Sequence, residues 1–351
     1  MILKINDRIT NRKVDYFNQF KLNLQHASVA STFSFNFYFD PLNHDHKEMA
    51  CVSHYHVATL EHNGELLLTG YILSQGFNHK NVKELVAIGG YSLPGFLEDC
   101  EIPTSLYPLQ SDGLTLRQIA QKLIKPFGLK MVVDPSVASK MDSVYDTSTA
   151  SETQTIKGYL TELAAQKHVL LSHDAKGNLV FTSAKTKQKP ILEFKDGVIG
   201  TTMTLAFDGQ RMHSHITVQK QSDLEGGNAG ESTVTNPYVP FVYRPKVKTQ
   251  SSGTDIDTDL AARQMLAEEL RNLKLTIVTD RWEIDGKIIK PGNIISVINP
   301  EVYIYKKTLW FIESIEFIGD NKSVTATINC VLPEVYNGET PVSIFKGINL
   351  H

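Results

Sequence analysis

The stretch FSFNFYF, Phe33–Phe39, alternates without a break. Phe33, Phe35, Phe37 and Phe39 fall on one side of an extended chain, and Ser34, Asn36 and Tyr38 on the other. Period-2 alternation is the signature of a strand buried on one face. Such a strand needs partners, and the next residues supply them. HYHVATLEHNGELLLTGYILSQGFN reads as two strands joined at His62-Asn63-Gly64-Glu65, and Asn-Gly is the strongest short hairpin signal. Residues 1–90 are therefore expected to form a small antiparallel β-barrel.

The texture changes beyond residue 105. Leu116, Ile119, Ala120 and Leu123 recur at helical spacing. Thr115 and Gln118 have the spacing of a capping box, and Pro126 and Gly128 stop the helix. LKMVV then reads as a strand and Asp134-Pro135 as a turn. A second unit echoes the first: Ser151 and Gln154 as a capping box, Ile156, Tyr159, Leu160 and Leu163 as an apolar face, then VLLS, a turn at HDAKGN, and LVFTS. Residues 91–188 are expected to form a compact α+β domain.

β character returns in ILEF, GTTMTLAF and SHITVQKQ. Residues 222–257 then form a polar excursion, too long for an ordinary connection, and its middle, NPYVPFVYRPKVK, is aromatic and basic. A helix follows in which Ala262, Met265, Leu266, Leu270 and Leu273 share a face. The last section has turns at DGK, PGN and GDNKS between alternating strands. The expected fold class is α+β and mostly β, with two small antiparallel barrels flanking the α+β domain. The second barrel takes residues 189–221 and 274–336, with loop and helix inserted at 222–273 and a tail at 337–351.

Charge and cysteine usage limit the function. The 351 residues carry a net charge of −3, with 41% hydrophobic and 21% charged residues, unlike a nucleic-acid binder with a dominant basic face. Cys51, Cys100 and Cys330 are odd in number and have no CxxC pair, so neither a zinc site nor a disulfide framework is expected. They read as reduced, largely buried thiols. The N-terminus lacks the apolar core of a signal peptide, and no apolar run reaches the length of a membrane span.

Candidate chemistry is sparse. Cys100 stands beside Glu98, Asp99 and Glu101, and carboxylates disfavour the thiolate a nucleophile needs. It is expected to be a buried thiol in a seam, GGYSLPGFLEDCEIP, between two domains. His44, His46, His54, His56 and His62 cluster in sequence, with His54 and His56 on one strand face and His213 and His215 on another. Without carboxylate or cysteine partners at ligand spacing they read as exposed strand or loop residues rather than metal ligands. GxSxG, HExxH, P-loop and GxGxxG motifs are absent. No catalytic, cofactor-binding or metal residue is expected. Two other classes stay open: a peptidoglycan hydrolase with carboxylates that meet only in space, and a carbohydrate-binding adhesin.

The order of GYSLPGFLEDCEIP, TLRQIAQKLIKPFGLKMVVDP and KGYLTELAAQKHVLLSHDAKGNLVF resembles the baseplate hub proteins of contractile phage tails, in particular the Mu-like tail hub group. The ending PGNIISVINPEVYIYKKTLWFIESIEF with SVTATINCVLPEVY fits the same group. The resemblance covers residues 1–340 and lies in order and spacing; 222–258 and NGETPVSIFKGINLH match nothing diagnostic. It implies a structural virion protein and no enzyme: a homotrimeric ring whose paired barrels present six positions to the tail tube and three to a trimeric tail spike. Baseplate wedge proteins would be further partners. DNA would pass through the channel without specific binding, and tails would assemble in the host cytoplasm.

Overall fold

A computed structural model describes the chain except residues 7–10, 15–16, 80–84, 108–109, 147–148, 152, 196–200, 221–229, 251–256, 281, 285, 321–322 and 348–351. It is mostly β with a minority of helix, as expected. Two compact units divide it: Met1–Ser183 with Glu316–Thr325, and Ala184–Ile315 with Ala326–His351.

In the first unit, strands β1 (Ile2–Asn6), β2 (Asn11–Val14), β3 (Gln19–Gln25), β4 (Thr32–Tyr38), β5 (Val57–His62), β6 (Glu65–Asn78) and β7 (Leu85–Ser92) pair antiparallel in the order β2-β1-β5-β6-β7-β4-β3. Phe33, Phe35 and Phe37 of β4 point into the core, with Phe20, Leu22, Ile72 and Ile88 around them. Phe39 lies past the end of the strand and is only half-buried, stacking edge-on with Phe77. Asn63 and Gly64 both have positive φ, +49° and +81°, as a type I′ hairpin turn demands. Gly70 and Gly90 serve close approach instead. A Cβ on Gly90 would stand 1.8 Å from the Tyr71 carbonyl oxygen, and one on Gly70 2.1 Å from that of Tyr91.

The α+β part of this unit has its own core. Helix Leu116–Ile124 starts with the expected reciprocal capping box of Thr115 and Gln118, and Gly128 ends the chain's turn in the left-handed region. Helix Ile156–Gln166 starts differently from the expectation. Its cap is Thr155, whose hydroxyl accepts from the Gly158 N–H. The Ser151–Gln154 pair closes a separate bond, Ser151 N–H to Gln154 Oε1, one turn upstream. Strand β8 (Met131–Val133) runs parallel to β10 (Leu179–Thr182), which pairs antiparallel with β9 (Leu170–His173). Leu116, Ile119, Leu123, Ile156, Leu160, Leu163 and Phe181 close the core between helices and sheet. Asp174 shapes the β9–β10 turn by accepting from the N–H groups of Lys176 and Asn178. Thr69 donates to the Ala175 carbonyl at 2.7 Å, and His173 Nδ1 to that of Ser28 at 2.9 Å.

The second unit has strands β11 (Glu193–Lys195), β12 (Thr201–Phe207), β13 (His215–Lys220), β14 (Glu231–Thr235), β15 (Pro245–Gln250), β16 (Leu273–Thr279), a short hairpin of β17 (Glu283–Ile284) and β18 (Lys287–Ile288), and β19 (Ile294–Asn299). Strands β20 (Ile304–Asp320) and β21 (Val324–Val331) give this unit their residues 304–315 and 326–331. Its main sheet runs β12-β16-β21-β20, with β19 antiparallel to β20 and β11 parallel to β19. Leu275, Ile277, Ile294, Val297, Trp310, Phe311 and Ile328 are buried.

The polar excursion is more structured than a loop. Its residues 231–235 and 245–250 are the strands β14 and β15, which flank β13 in a separate sheet of order β14-β13-β15. Residues 222–229 and 251–256 lie outside the described residues. Helix Thr258–Leu270 buries Ala262, Leu266, Ala267 and Leu270, as its spacing suggests. Met265 is only half-buried, and Leu273 belongs to β16 rather than to the helix. The helix also buries Glu269, which no periodicity marks.

Candidate interaction surface

Strand β12 reads TTMTLAF and contains no charge and no proline. It pairs with β16 on one side, at Met203↔Ile277, Leu205↔Leu275 and Phe207↔Leu273. Among the described residues it is the end strand of its sheet. Met203, Leu205 and Phe207 line a groove of about 1270 Å³, together with Pro237, Tyr238, Phe241, Tyr303 and Phe345. Glu301 and Lys346 are the charged side chains among the lining residues.

The groove's walls are held from behind. The loop Pro237–Tyr243 is pinned at both ends to Ser214. The Asn236 N–H donates to the Ser214 carbonyl at 2.8 Å, and the Ser214 N–H to the Arg244 carbonyl at 2.8 Å. The Arg244 N–H then donates to Ser214 Oγ at 2.8 Å. Asn236 Oδ1 accepts from the Tyr238 N–H, which turns the chain. The Arg244 guanidinium folds back onto the carbonyls of Gly209 and Gln210 and keeps its charge away from the loop tip.

The tail forms the other wall. Phe345 sits among three aromatic rings, with centroids 5.7 Å from Tyr303, 5.8 Å from Tyr238 and 6.0 Å from Phe207. The Ile344 N–H donates to the Tyr238 hydroxyl at 3.3 Å, and Lys306 Nζ donates to the Lys346 carbonyl at 2.9 Å. Burial pushes the Tyr238 phenol up, so it stays neutral and keeps that contact at any ordinary pH.

Beneath the separate sheet a polar clasp fixes helix Thr258–Leu270. Glu269 is 5% exposed. Its carboxylate accepts from the His213 N–H at 2.8 Å, from His213 Nδ1 at 2.7 Å and from Lys246 Nζ at 3.0 Å. A second knot joins the end of the helix to the tail. Glu313 accepts from Arg271 and, at 2.9 Å, from the Tyr336 hydroxyl. Both clusters tie elements together through paired side chains.

The residues singled out in the sequence fall elsewhere. Cys100 is half-buried at the end of the short helix Phe96–Asp99, not fully buried as expected. Burial, and then Asp99, pushes its thiol up, which is the opposite of activation. Cys51 is also half-buried, whereas Cys330 is buried. Two histidines expected on the surface are inside. His46 accepts through Nδ1 from the Asp40 N–H, and His56 Nε2 contacts the Glu48 carbonyl at 2.9 Å. His54 is exposed and precedes β5, so the two do not share a strand face. His213 likewise precedes β13, while His215 opens it. Among the described residues no group of three or more His, Cys, Asp or Glu is placed to hold a metal ion.

The groove suits binding of another apolar surface. Sequence reasoning located the aromatic strip of the loop but missed Phe207 and Phe345. An isolated Phe at the end of a strand or in a tail carries no signal of what it faces.

Comparison with known proteins agrees with this. Residues 95–183 match the family model "Baseplate hub protein gp44-like, second domain". Search of the curated proteins finds no match. Among solved structures, the chain is similar to the 43 kDa tail protein of prophage MuSo2 from Shewanella oneidensis, at 21% identity and TM-score 0.79, covering 95% of this chain and 98% of that one. A tail protein from Neisseria meningitidis MC58 is similar at 17% identity and TM-score 0.77, covering 97% and 98%. An E. coli type VI secretion component, itself described as similar to the T4 tail proteins gp27 and gp5, matches at 11% identity and TM-score 0.54, covering 98% and 80%. Two of these are described as tail proteins and the third as a component of a secretion system. Residues 95–183 thus resemble the second domain of gp44-like baseplate hub proteins, and the chain as a whole shares the fold of these tail proteins.

Proposed function

We propose that this protein is the structural hub of a contractile tail baseplate: a homotrimer that joins the sixfold tail tube to a threefold central spike. One observation carries the reading. The likeness to Mu-like prophage tail proteins runs over nearly the whole chain, and a baseplate hub family model matches residues 95–183 within it. The two units each carry an antiparallel sheet, so each subunit offers two β modules. Three subunits would then present six modules around a ring, each sheet curling into a small barrel wall. Wedge proteins would bind the outside. DNA would pass through the centre without being held, because the chain is weakly acidic and a basic lumen would trap it. The protein would belong to the virion and would assemble in the host cytoplasm.

Light scattering on a sizing column tests this. A trimer has three times the 39.2 kDa subunit mass, about 118 kDa. That mass, followed by threefold class averages in electron microscopy, is the expected result. A species that stays at 39.2 kDa at high concentration, and also in the presence of purified spike, overturns the trimer.

A further inference from the structure

A ring of three identical subunits closes through a heterologous contact, in which each copy needs two different but complementary patches. The second unit carries such a pair on one rim. The first is the groove along β12, largely apolar, aromatic-lined and, among the described residues, without a strand paired to its outer edge. The second is the tip of the loop that forms the groove's lip. Phe241 is 96% exposed, Tyr243 76% and Val242 58%. Apolar side chains left out singly are normal, but three consecutive ones beside an apolar groove mark a contact surface.

We propose that the groove is filled by the Phe241 loop of a second copy of this chain, with the open edge of β12 as its seat, so that successive copies join head to tail. The inference rests on the trimer reading above and assigns the surfaces that would build the ring.

Charge argues for this occupant. β12 has no charged residue over seven positions and shares this with the shorter end strands β8 and β9, whereas the end strands β2, β14 and β15 carry Arg12 and Lys13, Glu231, and Lys246 and Lys248. Charges and prolines on an edge discourage pairing, and their absence leaves it competent to associate. Residues 237–243, PYVPFVY, are also uncharged, and the one nearby guanidinium is turned back onto backbone carbonyls. An uncharged apolar knob thus faces a mostly apolar seat whose two charged lining residues, Glu301 and Lys346, are of opposite sign. The placement fits as well, because Phe241 lines the groove and is 96% exposed, so knob and seat lie side by side on one subunit. The tail's Phe345 shows that the groove accepts a phenylalanine ring, because it already packs there against Tyr238, Tyr303 and Phe207.

The experiment uses the full chain and two variants, Phe241→Ser to remove the knob and Thr204→Lys to charge the seat. Both positions are exposed, so the subunit is expected to keep its fold, checked by circular dichroism. If wild type is a trimer, each variant alone should dissociate at a concentration at least about 30-fold higher, since anchors in interface pockets dominate affinity. An equimolar mixture gives the decisive reading. The Phe241→Ser copy loses one lip residue but keeps the uncharged β12 edge and the Phe207, Tyr303 and Phe345 wall of its seat, and the Thr204→Lys copy keeps a good knob, so one contact is restored. The mixture should form a two-copy species of twice 39.2 kDa, about 78 kDa, that neither variant forms alone. A wild-type trimer with both variants equally trimeric overturns this seat and leaves the hub reading intact. A wild type that never trimerises removes both.

Discussion

The α+β part of the first unit and the groove of the second use the same kinds of side chain to opposite ends. In the first, Leu160 and Phe181 are fully buried and two capped helices close over a short sheet. In the second, Phe241 and Tyr243 are 96% and 76% exposed. The first region satisfies its apolar surface inside one chain. The second leaves it open and holds it rigid from behind by backbone bonds to Ser214. A region of the first kind is expected to answer to substitutions through stability, and one of the second kind through association.

The largest effect should come from the closed core. Phe181→Ala removes a fully buried ring between both helices and β8 and should cost about 4 kcal/mol of unfolding free energy, read as a lower denaturant midpoint. A loss below about 1 kcal/mol would mean that this core is not closed within the subunit.

Next comes the clasp behind the exposed surface. Glu269→Gln keeps the shape but removes the charge that meets His213 and Lys246. Because Lys246 is partly exposed, the expected loss is moderate, about 2 kcal/mol. Hydrogen exchange should rise in β13 and β15 while β8–β10 stay protected. Equal loosening of both regions would break the distinction drawn between them.

The capping box gives a smaller effect on the closed side. Thr115→Ala should cost about 1 kcal/mol, because the N-terminal N–H of Gln118 loses its acceptor. A pH effect adds to it. Burial lowers the pKa of His173 below its ordinary 6.5 and keeps the ring neutral, its Nδ1 on the Ser28 carbonyl. The unfolded chain then binds the proton more readily than the folded one. Stability is full above pH 6.5 and falls as the pH drops below it. His173→Gln should flatten that part of the stability profile.

How much of this was legible follows the same division. The period-2 run of phenylalanines, the Asn63-Gly64 turn and the Thr115–Gln118 box are local, and local pattern decides them. Thr155 displaced Ser151 as the cap because only its hydroxyl lies where the first helical N–H groups point. Strands β14 and β15 were hidden in polar sequence because β13 pairs with them from outside their own composition. Glu269 and Phe345 were unreadable, since a buried carboxylate or an isolated ring gains its meaning from partners distant in the chain, such as His213 for Glu269 and Phe207 for Phe345.

The smallest effect is also the sharpest test of the comparison. Phe241→Ser should change the unfolding free energy of the isolated subunit by less than about 0.5 kcal/mol, as is usual for an exposed position without a buried partner. Measured below the association concentration, its denaturant midpoint should overlay that of the wild type. At high concentration the two curves should separate, because only the wild type gains stability from assembly. A loss near that of Phe181→Ala at low concentration would place the ring inside the subunit's own core. Coincident curves at every concentration would mean that the exposed loop is no contact at all. Divergence at high concentration alone is the outcome that a rigid but unfilled surface requires.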